Sequence, residues 1–193
     1  GVFGAYVDSI PMFVVTGQAK RETTVWSTNL PLRQLGDQEV NITSAVSTMT
    51  KYAKMITDPM SIRKEVEKAW FLMLNGRPGP VWLDIPGDVA STFIETDDLE
   101  GFDKQGYIDE HWASFNQDNP VYDEQYTKDV LAKIKEAKRP VILAGTAIRH
   151  AGQQSEFIKC IDKLGIPVVT AWDAHDIICL LYTSPSPRDP KTS

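Results

Sequence analysis

Few residues of this chain have the types and spacing that chemistry needs, and most of them lie between residues 16 and 51. Arg21 and Arg33 are cations in one polar loop, and arginine binds carboxylates well through paired hydrogen bonds. For both arginines, an ordinary solvated surface position is the simpler interpretation. The residues alone therefore predict a solvated polar loop, in which these two cations are available to a carboxylate, and no catalytic constellation.

The histidines and cysteines lack the spacing of a metal site or a catalytic pair. His111, His150 and His175 are far apart in the sequence, and we interpret them as incidental. Cys160 and Cys179 form neither a metal-ligand motif nor a redox motif. We therefore predict no metal bound by these residues, and a reducing, cytoplasmic setting.

The composition argues against two classes of partner. The chain has 193 residues, of which 42% are hydrophobic and 24% charged, as in ordinary globular proteins. Its net charge is −6, whereas nucleic-acid binding needs clustered Lys and Arg, and no apolar run approaches the roughly 20 residues that span a bilayer. We expect neither nucleic acid nor membrane as a partner. The first residues lack an initiator Met and a basic signal segment, so we expect the chain to begin inside a longer protein.

Parallel strands are predicted to position the polar loop. The run MFVVTG, residues 12–17, is short, apolar and β-branched, which is typical of a buried parallel strand. Residues 18–37 are polar and irregular, and we predict a loop over the strand ends, where α/β sheets bind ligands. The other predicted elements are a helix ending near residue 9, a short helix within 38–48, and strands at 51–56 and 81–85.

An amphipathic helix is predicted between the last two strands. Asp58 is a suitable N-cap, and Pro59 suits the first helical position. Asn75 and Gly76 are predicted to take the left-handed conformation that ends a helix. The glycines and prolines that flank residues 81–85 are interpreted as ends of elements, without a catalytic role. The apolar face is predicted to consist of residues at helical spacing, namely Ile62, Val66, Ala69, Trp70 and Met73.

A second α/β pattern follows a polar stretch. Residues 93–124 are rich in Asp, Glu, Asn and Gln without sustained periodicity, and we predict an interdomain linker along a surface. Helices at 125–138 and 151–164 alternate with strands at 140–145 and 166–172, with Gly165 ending the second helix. Strand, helix and strand at this spacing predict a parallel βαβ unit.

The last fifteen residues, CLLYTSPSPRDPKTS, do not continue this pattern. The stretch CLLYTSPSPRD can be encoded by a common transposase-based sequencing adapter, so we expect residues 179–193 to be adapter read-through. Cys179 would then not be a natural residue, and the natural chain would continue past Ile178. The alternative is a natural Pro- and Ser-rich disordered end.

Two long phrases carry a family resemblance. GVFGAYVDSIPMFVVTGQ at the start and GRPGPVWLDIPGDV at residues 76–89, followed by KRPVILAG, resemble the thiamine-diphosphate-dependent enzymes of the acetolactate synthase-like group. The resemblance covers residues 1–178. It implies an α/β fold: an amino-terminally truncated, parallel-sheet pyrimidine-binding domain at 1–92, the linker at 93–124, and the start of a Rossmann-like central domain at 125–178.

The resemblance also implies where the chemistry is carried out. In this family thiamine diphosphate acts as an electron sink, and a relay glutamate helps to form its ylid. That glutamate lies upstream of Gly1, and the diphosphate–Mg²⁺ motif lies in a carboxyl-terminal domain. We therefore expect no catalytic or metal-ligating residue here, and an inactive fragment if it is isolated. Because family active sites form between two subunits, a homodimer or homotetramer is expected.

Four residues are expected near substrate or cofactor because of the resemblance. Acetolactate synthases have a Phe-Gln-Glu segment near the active-site entrance, and Gln38 and Glu39 match its last two residues, whereas the Phe and the spacing do not. Lys51 aligns with a lysine that lines the substrate and herbicide channel, with an ordinary solvated lysine as the equal alternative. Gln18, in the T-G-Q phrase, is expected to position the loop by hydrogen bonds.

The implied function is decarboxylation of a pyruvate-like 2-oxo acid with transfer of the resulting acyl carbanion, as in branched-chain amino acid biosynthesis. FAD stays open, because Gly145–Thr146–Ala147 lacks the glycine-rich turn that lets backbone approach a pyrophosphate. The alternatives are an oxalyl-CoA decarboxylase-like or sugar-pathway branch and a non-catalytic paralogue. A nucleotide-binding oxidoreductase is a further alternative, although GTAIRH is not a G-x-G-x-x-G turn.

Overall fold

The computed structural model describes residues 1–116 and 123–178, so the prediction for residues 179–193 lies outside the described residues. The chain divides into two compact units, Gly1–Asn119 and Pro120–Ser193, and each is described by itself. Within the described residues, no helix has both the length and the apolar character needed to cross a membrane.

The first unit is built on a three-stranded parallel sheet. Strands β1 (Met12–Gln18), β2 (Tyr52–Met55) and β3 (Pro80–Pro86) lie in the order β1-β3-β2. β1 pairs with β3 from Met12 opposite Pro80 to Gln18 opposite Pro86. The three predicted strands are therefore confirmed, and their parallel direction gathers their carboxyl ends at one edge.

Helices cover this sheet and connect its strands. The helix α3 (Ile62–Leu74) packs on one face of the sheet, where the central core lies. Its start follows the prediction, because the Asp58 side chain accepts from the backbone N–H of Met60 and Pro59 opens a 3₁₀ turn that leads into the helix. The helices of this unit are α1 (Val2–Val7), α2 (Ile42–Val46), α3 (Ile62–Leu74), α4 (Gly87–Ala90) and α5 (Lys104–Asn116). The core consists of Ile56, Ala69, Phe71, Leu72, Met73, Val81, Leu83 and Val89.

The predicted buried face of α3 was partly wrong. Ala69 and Met73 are buried as expected, and Ile62 packs against the core, but Val66 is 39% exposed and Trp70 57% exposed. The helix is instead oriented so that Phe71 and Leu72 fill the core together with Ala69 and Met73.

The end of α3 also differs from the prediction in one residue. Gly76 has φ +66°, the left-handed conformation that was expected. Asn75 is extended, with φ −101° and ψ 148°, and its side-chain amide donates to the carbonyl of Phe71 at 2.8 Å. Asn75 thus ends the helix by satisfying a terminal carbonyl with its side chain, so it does not need a left-handed backbone.

The segment predicted to be an irregular linker contains a helix, α5. Phe102, Tyr107 and Ile108 pack against the core of the first unit. The ring centroids of Phe102 and Phe71 are 5.7 Å apart, and those of Phe102 and Tyr107 are 5.5 Å apart. Packing of aromatic side chains on the core thus stabilises a helix whose polar sequence shows no sustained periodicity.

The second unit contains the predicted βαβ pattern. Helix α6 (Glu124–Glu136) precedes strand β4 (Ile142–Ala144), and Gly165, with φ +61°, ends helix α8 (Gln154–Leu164) as expected. The two strands pair in parallel, which confirms that prediction, and a one-turn helix, α7, follows the first of them. The elements after α6 are β4 (Ile142–Ala144), α7 (Ala147–His150), α8 (Gln154–Leu164) and β5 (Val168–Thr170).

Candidate functional site

A polar cleft lies at the carboxyl edge of the first unit's sheet. Because side chains alternate along a strand, Trp82 and Asp84 of β3 point away from the core face that carries Val81 and Leu83. The cleft has a volume of about 380 Å³ and is the kind of strand-end crevice in which α/β sheets bind ligands. Its lining residues are Thr16, Gly17, Gln18, Ala19, Asp37, Gln38, Val40, Ile42, Trp82 and Asp84.

A chain of hydrogen bonds runs through the floor of this cleft. The indole N–H of Trp82 donates to Thr16 Oγ1 at 2.9 Å, and the Thr16 hydroxyl donates to Asp84 Oδ1 at 2.6 Å. The amide of Gln18 donates to Asp84 Oδ2 at 2.9 Å. Asp84 is only 1% exposed, so these donors take the place of the water that its carboxylate would otherwise bind.

Gln18 joins this floor to the opposite wall of the cleft. Its Nε2 also donates to the carbonyl of Val40 at 2.7 Å, and its Oε1 accepts from the backbone N–H of Ala19 at 3.0 Å. The donors and the acceptor of the side chain thus have protein partners. This geometry gives Gln18 the loop-positioning hydrogen bonds that the sequence suggested, at the edge of the cleft.

Gln38 and Glu39 are neighbours with different surroundings. Gln38 lines the cleft and has φ +59°, which is uncommon for a residue other than glycine. Glu39 turns into the loop, where its carboxylate accepts from the backbone N–H groups of Val25, Leu35 and Gly36 at 2.7–3.1 Å. Burial raises the pKa of Glu39, but these three donors outweigh burial and leave the pKa below its ordinary value.

Arg21 is engaged within the protein. Its Nε and its backbone N–H donate to the carboxylate of Asp88 at 2.7 and 3.0 Å, and Nη1 donates to the carbonyl of Thr57. The guanidinium lowers the pKa of Asp88, because its hydrogen bond and charge favour the ionised form. Arg21 thus ties the loop after β1 to the segments after β2 and β3. Arg33 is exposed in the same loop.

Lys51 lies at the amino-terminal end of the strands, opposite the end that forms the cleft. Its backbone N–H donates to the carbonyl of Pro80 at the start of β3, whereas Gln18 lies opposite Pro86 at the end. Pro80 and Pro86 are six residues apart along β3, which corresponds to about 20 Å. Lys51 lines a second cleft, of about 570 Å³, and its ammonium donates to the carbonyl of Asn75. The structure therefore brings Gln18 and Gln38 together but does not bring Lys51 to them.

None of the three histidines is among the residues that line the carboxyl-edge cleft. His111 stacks on Tyr107 at 4.0 Å, and His175 is within hydrogen-bond distance of the Thr170 hydroxyl, in the other unit. Residues 1–116 and 123–178 contain no group of three His, Cys, Asp or Glu that could hold a metal ion.

Sequence reasoning missed Asp84 and Trp82. The strand at residues 81–85 was interpreted as buried, and the glycines and prolines that flank it as ends of elements, so none of these residues was assigned to a site. One signal was available: Asp84 is the only charged residue between Pro80 and Pro86. A carboxylate in an otherwise apolar strand must find hydrogen-bond donors, and Thr16 and Gln18 of the neighbouring strand are those donors.

Comparison with known proteins identifies relatives along most of the chain. Residues 127–179 match the family model described as the central domain of thiamine pyrophosphate enzymes. The acetolactate synthase large subunit of Lactococcus lactis is 30% identical over 170 residues, which cover 88% of this chain and 27% of that protein. Acetolactate synthase 2 of Zea mays is 30% identical over 169 residues, which cover 86% of this chain and 23% of that protein.

Solved structures share the fold. Benzoylformate decarboxylase from Polynucleobacter necessarius matches with a TM-score of 0.61 and 20% identity, over 88% of this chain and 28% of that one. A protein from Mycobacterium smegmatis described as a thiamin diphosphate-dependent enzyme matches with a TM-score of 0.55 and 19% identity, over 89% of this chain and 29% of that one. The chain spans about a quarter of the length of the curated relatives that it matches.

Proposed function

Because this chain belongs to the thiamine-diphosphate-dependent enzyme family, we propose that its protein decarboxylates a pyruvate-like 2-oxo acid and transfers the resulting acyl carbanion, as an acetolactate synthase does. The observation that carries this proposal is the 30% identity to an acetolactate synthase large subunit over 88% of the chain. Branched-chain amino acid biosynthesis is the corresponding pathway.

The cleft supports this proposal through its chemistry. Its lining combines the apolar surfaces of Val40, Ile42 and Trp82 with the amide of Gln38. Apolar surface combined with polar groups at fixed positions is what small-molecule sites use to orient a ligand. We assign Gln38 to contact a bound ligand, and we assign Gln18 and Glu39 to hold the loop that presents it.

The cofactor fits this chain only in part. The cleft lining includes no Lys, Arg or His, so it suits an uncharged part of a ligand and does not suit a diphosphate. For the same reason we propose that the carboxylate of the 2-oxo acid is bound by groups outside this lining. When bound, thiamine diphosphate supplies an electron sink for the carbanion that decarboxylation leaves. We therefore propose that the diphosphate and Mg²⁺ bind elsewhere in the complete protein. FAD is left out of the proposed reaction.

The distance of Lys51 from the carboxyl-edge cleft bears on the oligomeric state. Lys51 lies about 20 Å along the sheet from Gln18, so any contact that it makes with substrate would come from a second cleft or a partner subunit. We propose a homodimer or homotetramer in which another subunit completes the site.

The test is product analysis with the protein encoded by the complete gene. Purified protein is incubated with pyruvate, thiamine diphosphate and Mg²⁺, and the products are separated and identified. Acetolactate is the expected product. Acetaldehyde without acetolactate would overturn the transfer step and favour a decarboxylase branch. Failure to bind thiamine diphosphate would favour the non-catalytic paralogue, and oxidation of a nicotinamide cofactor would favour the oxidoreductase.

A further inference from the structure

The carboxylate of Asp84 is buried in the middle of the sheet, where an ionised group is costly unless it is hydrogen-bonded. It has two donors, one on each oxygen: Thr16 Oγ1 at 2.6 Å and Gln18 Nε2 at 2.9 Å. Within residues 1–116 and 123–178, no Lys, Arg or His forms an ion pair with it. Two neutral donors from the neighbouring strand thus hold this carboxylate in one orientation. The carboxylate in turn sets the orientation of the Thr16 and Gln18 side chains.

The side chain of Gln18 transmits this constraint from the sheet to the loop. The same amide nitrogen that donates to Asp84 donates to the carbonyl of Val40, which is 22 residues further along the chain. Val40 follows Gln38 by two residues. The position of the turn Asp37–Val40 against the sheet therefore depends on a side chain whose orientation Asp84 sets.

That turn contains a backbone conformation that needs support. Gln38 has φ +59°, and a residue other than glycine stays in this region only where its surroundings hold it. Glu39 supplies one support, through its bonds to Val25, Leu35 and Gly36. The bond from Gln18 to Val40 supplies the other, on the side of the cleft.

We propose that Asp84 is a positioning residue that, through Gln18 and the carbonyl of Val40, holds the turn Asp37–Val40 against the carboxyl edge of the sheet and so fixes the wall of the substrate cleft. The proposal rests on the proposed function for its effect on substrate binding. We call the hydrogen bonds that join Asp84, Gln18 and the carbonyl of Val40 the clamp. The existence of the clamp does not depend on the proposed function, so the clamp and the function can be tested separately.

Two variants at this position separate hydrogen bonding from burial. Asp84→Ala removes both acceptors. Asp84→Asn keeps one oxygen to accept from Gln18, and its amide can donate to the Thr16 hydroxyl, which also serves as an acceptor. Asp84→Asn is therefore the conservative variant that rescues the clamp.

Glu65 offers a matched control on the opposite face of the sheet. It is also a buried carboxylate, and it accepts from Tyr52 Oη and Lys54 Nζ on the side of α3. Glu65→Ala thus removes a comparable buried acceptor without touching the cleft, so a general loss of stability would appear in both alanine variants.

The first measurement is hydrogen exchange of residues 35–45 in the protein encoded by the complete gene. Asp84→Ala is expected to speed exchange in this segment by about tenfold, because the clamp no longer holds the turn. Asp84→Asn and Glu65→Ala are expected to leave the segment as in the parent. Unchanged exchange in Asp84→Ala, or equal acceleration in Glu65→Ala, would overturn the clamp whatever the protein catalyses.

The second measurement is steady-state kinetics with the 2-oxo acid. Asp84→Ala is expected to raise KM by about fivefold with kcat changed less than twofold, because the cleft wall is displaced while the reacting groups are unaltered. In a Gln18→Ala background, Asp84→Ala should add nothing further, since Asp84 acts through Gln18. Additive losses, or a fall in kcat alone, would contradict the positioning role. If no 2-oxo acid is consumed, the proposed function fails while the exchange result still decides the clamp.

Discussion

Glu65 shows how a buried carboxylate can stabilise this sheet without serving a site. Its oxygens accept from Tyr52 Oη and Lys54 Nζ, and it is 6% exposed. Burial raises the pKa of Glu65, but the hydrogen bonds from Lys54 and Tyr52 and the charges of Lys54 and Lys68 outweigh burial, so its pKa is lowered overall. In the same pair, burial and the Glu65 carboxylate raise the pKa of Tyr52 far above its ordinary range.

We predict that Glu65→Gln lowers the free energy of unfolding by about 2 kcal/mol at neutral pH, because a charged hydrogen-bond acceptor is lost from a buried position. A carboxyl whose pKa is lowered by folding contributes its full stability above its unfolded value, 4.5, and loses it as pH falls through the lower folded value. The difference between parent and variant in urea denaturation should therefore shrink below pH 4.5.

Glu100→Gln is the matched control for that prediction. Glu100 forms an exposed ion pair with Lys64 at 3.3 Å, and such pairs contribute little. Its variant should unfold like the parent across the same pH range. A Glu65→Gln difference that persists unchanged to pH 3 would contradict the account of this carboxylate.

The polar residues of the cleft were only partly predictable from sequence. Gln18 and Gln38 were expected near a ligand, and both line the cleft. Lys51 could not be placed, since its position relative to Gln18 depends on the register of two strands that are separated by a third. Asp84 was missed because its role depends on donors 66 and 68 residues away in the sequence.

Helix α5 is held to the first unit by aromatic packing around Phe102. We predict that Phe102→Ala destabilises this unit by about 2 kcal/mol, less than for a fully buried phenylalanine, because the side chain is only half-buried against Phe71 and Tyr107. Phe93→Ala makes the same chemical change at a fully exposed position and should alter stability by less than about 0.5 kcal/mol. Thermal unfolding of both variants measures the difference, and equal shifts would refute the packing role.

The turn after α3 depends on a glycine. Gly76 has φ +66°, so Gly76→Ala should cost about 1 kcal/mol from backbone conformation alone, since no atom crowds the added methyl. Gly4 lies inside α1, where an added methyl also meets open space, so Gly4→Ala should be neutral or slightly stabilising. Denaturant titration of the two variants distinguishes them. A Gly76→Ala protein as stable as the parent would contradict the turn geometry.

The regular elements were predictable where local chemistry sets their limits. Strand β3 lies between Gly79 and Gly87 and was predicted to within one residue at each end. Helix α5 was not predicted, because its sequence is polar and its stability comes from contacts with Phe71, which is distant in sequence. The buried face of α3 was misplaced for the same reason: the core selected Phe71 and Leu72 rather than Val66 and Trp70.

Each unit leaves large apolar side chains exposed. In the first unit these include Phe3 at 68% and Trp70 at 57%, and in the second Leu143 at 71% and Trp172 at 86%. Where such side chains form a contiguous patch, the patch marks a site that binds other protein surface. We predict that the isolated polypeptide of residues 1–178 self-associates, with a sedimentation coefficient that rises with concentration. A single monomeric species across a hundredfold concentration range would contradict this prediction.

The dependence of 2-oxo acid consumption on thiamine diphosphate tests the functional account most directly. The protein encoded by the complete gene is stripped of cofactor, and pyruvate consumption is followed while thiamine diphosphate is added back in the presence of Mg²⁺. The account predicts no consumption by the stripped protein and saturable recovery as the cofactor is restored. Consumption that persists without the cofactor, or none at saturating cofactor with either pyruvate or longer 2-oxo acids, would contradict it.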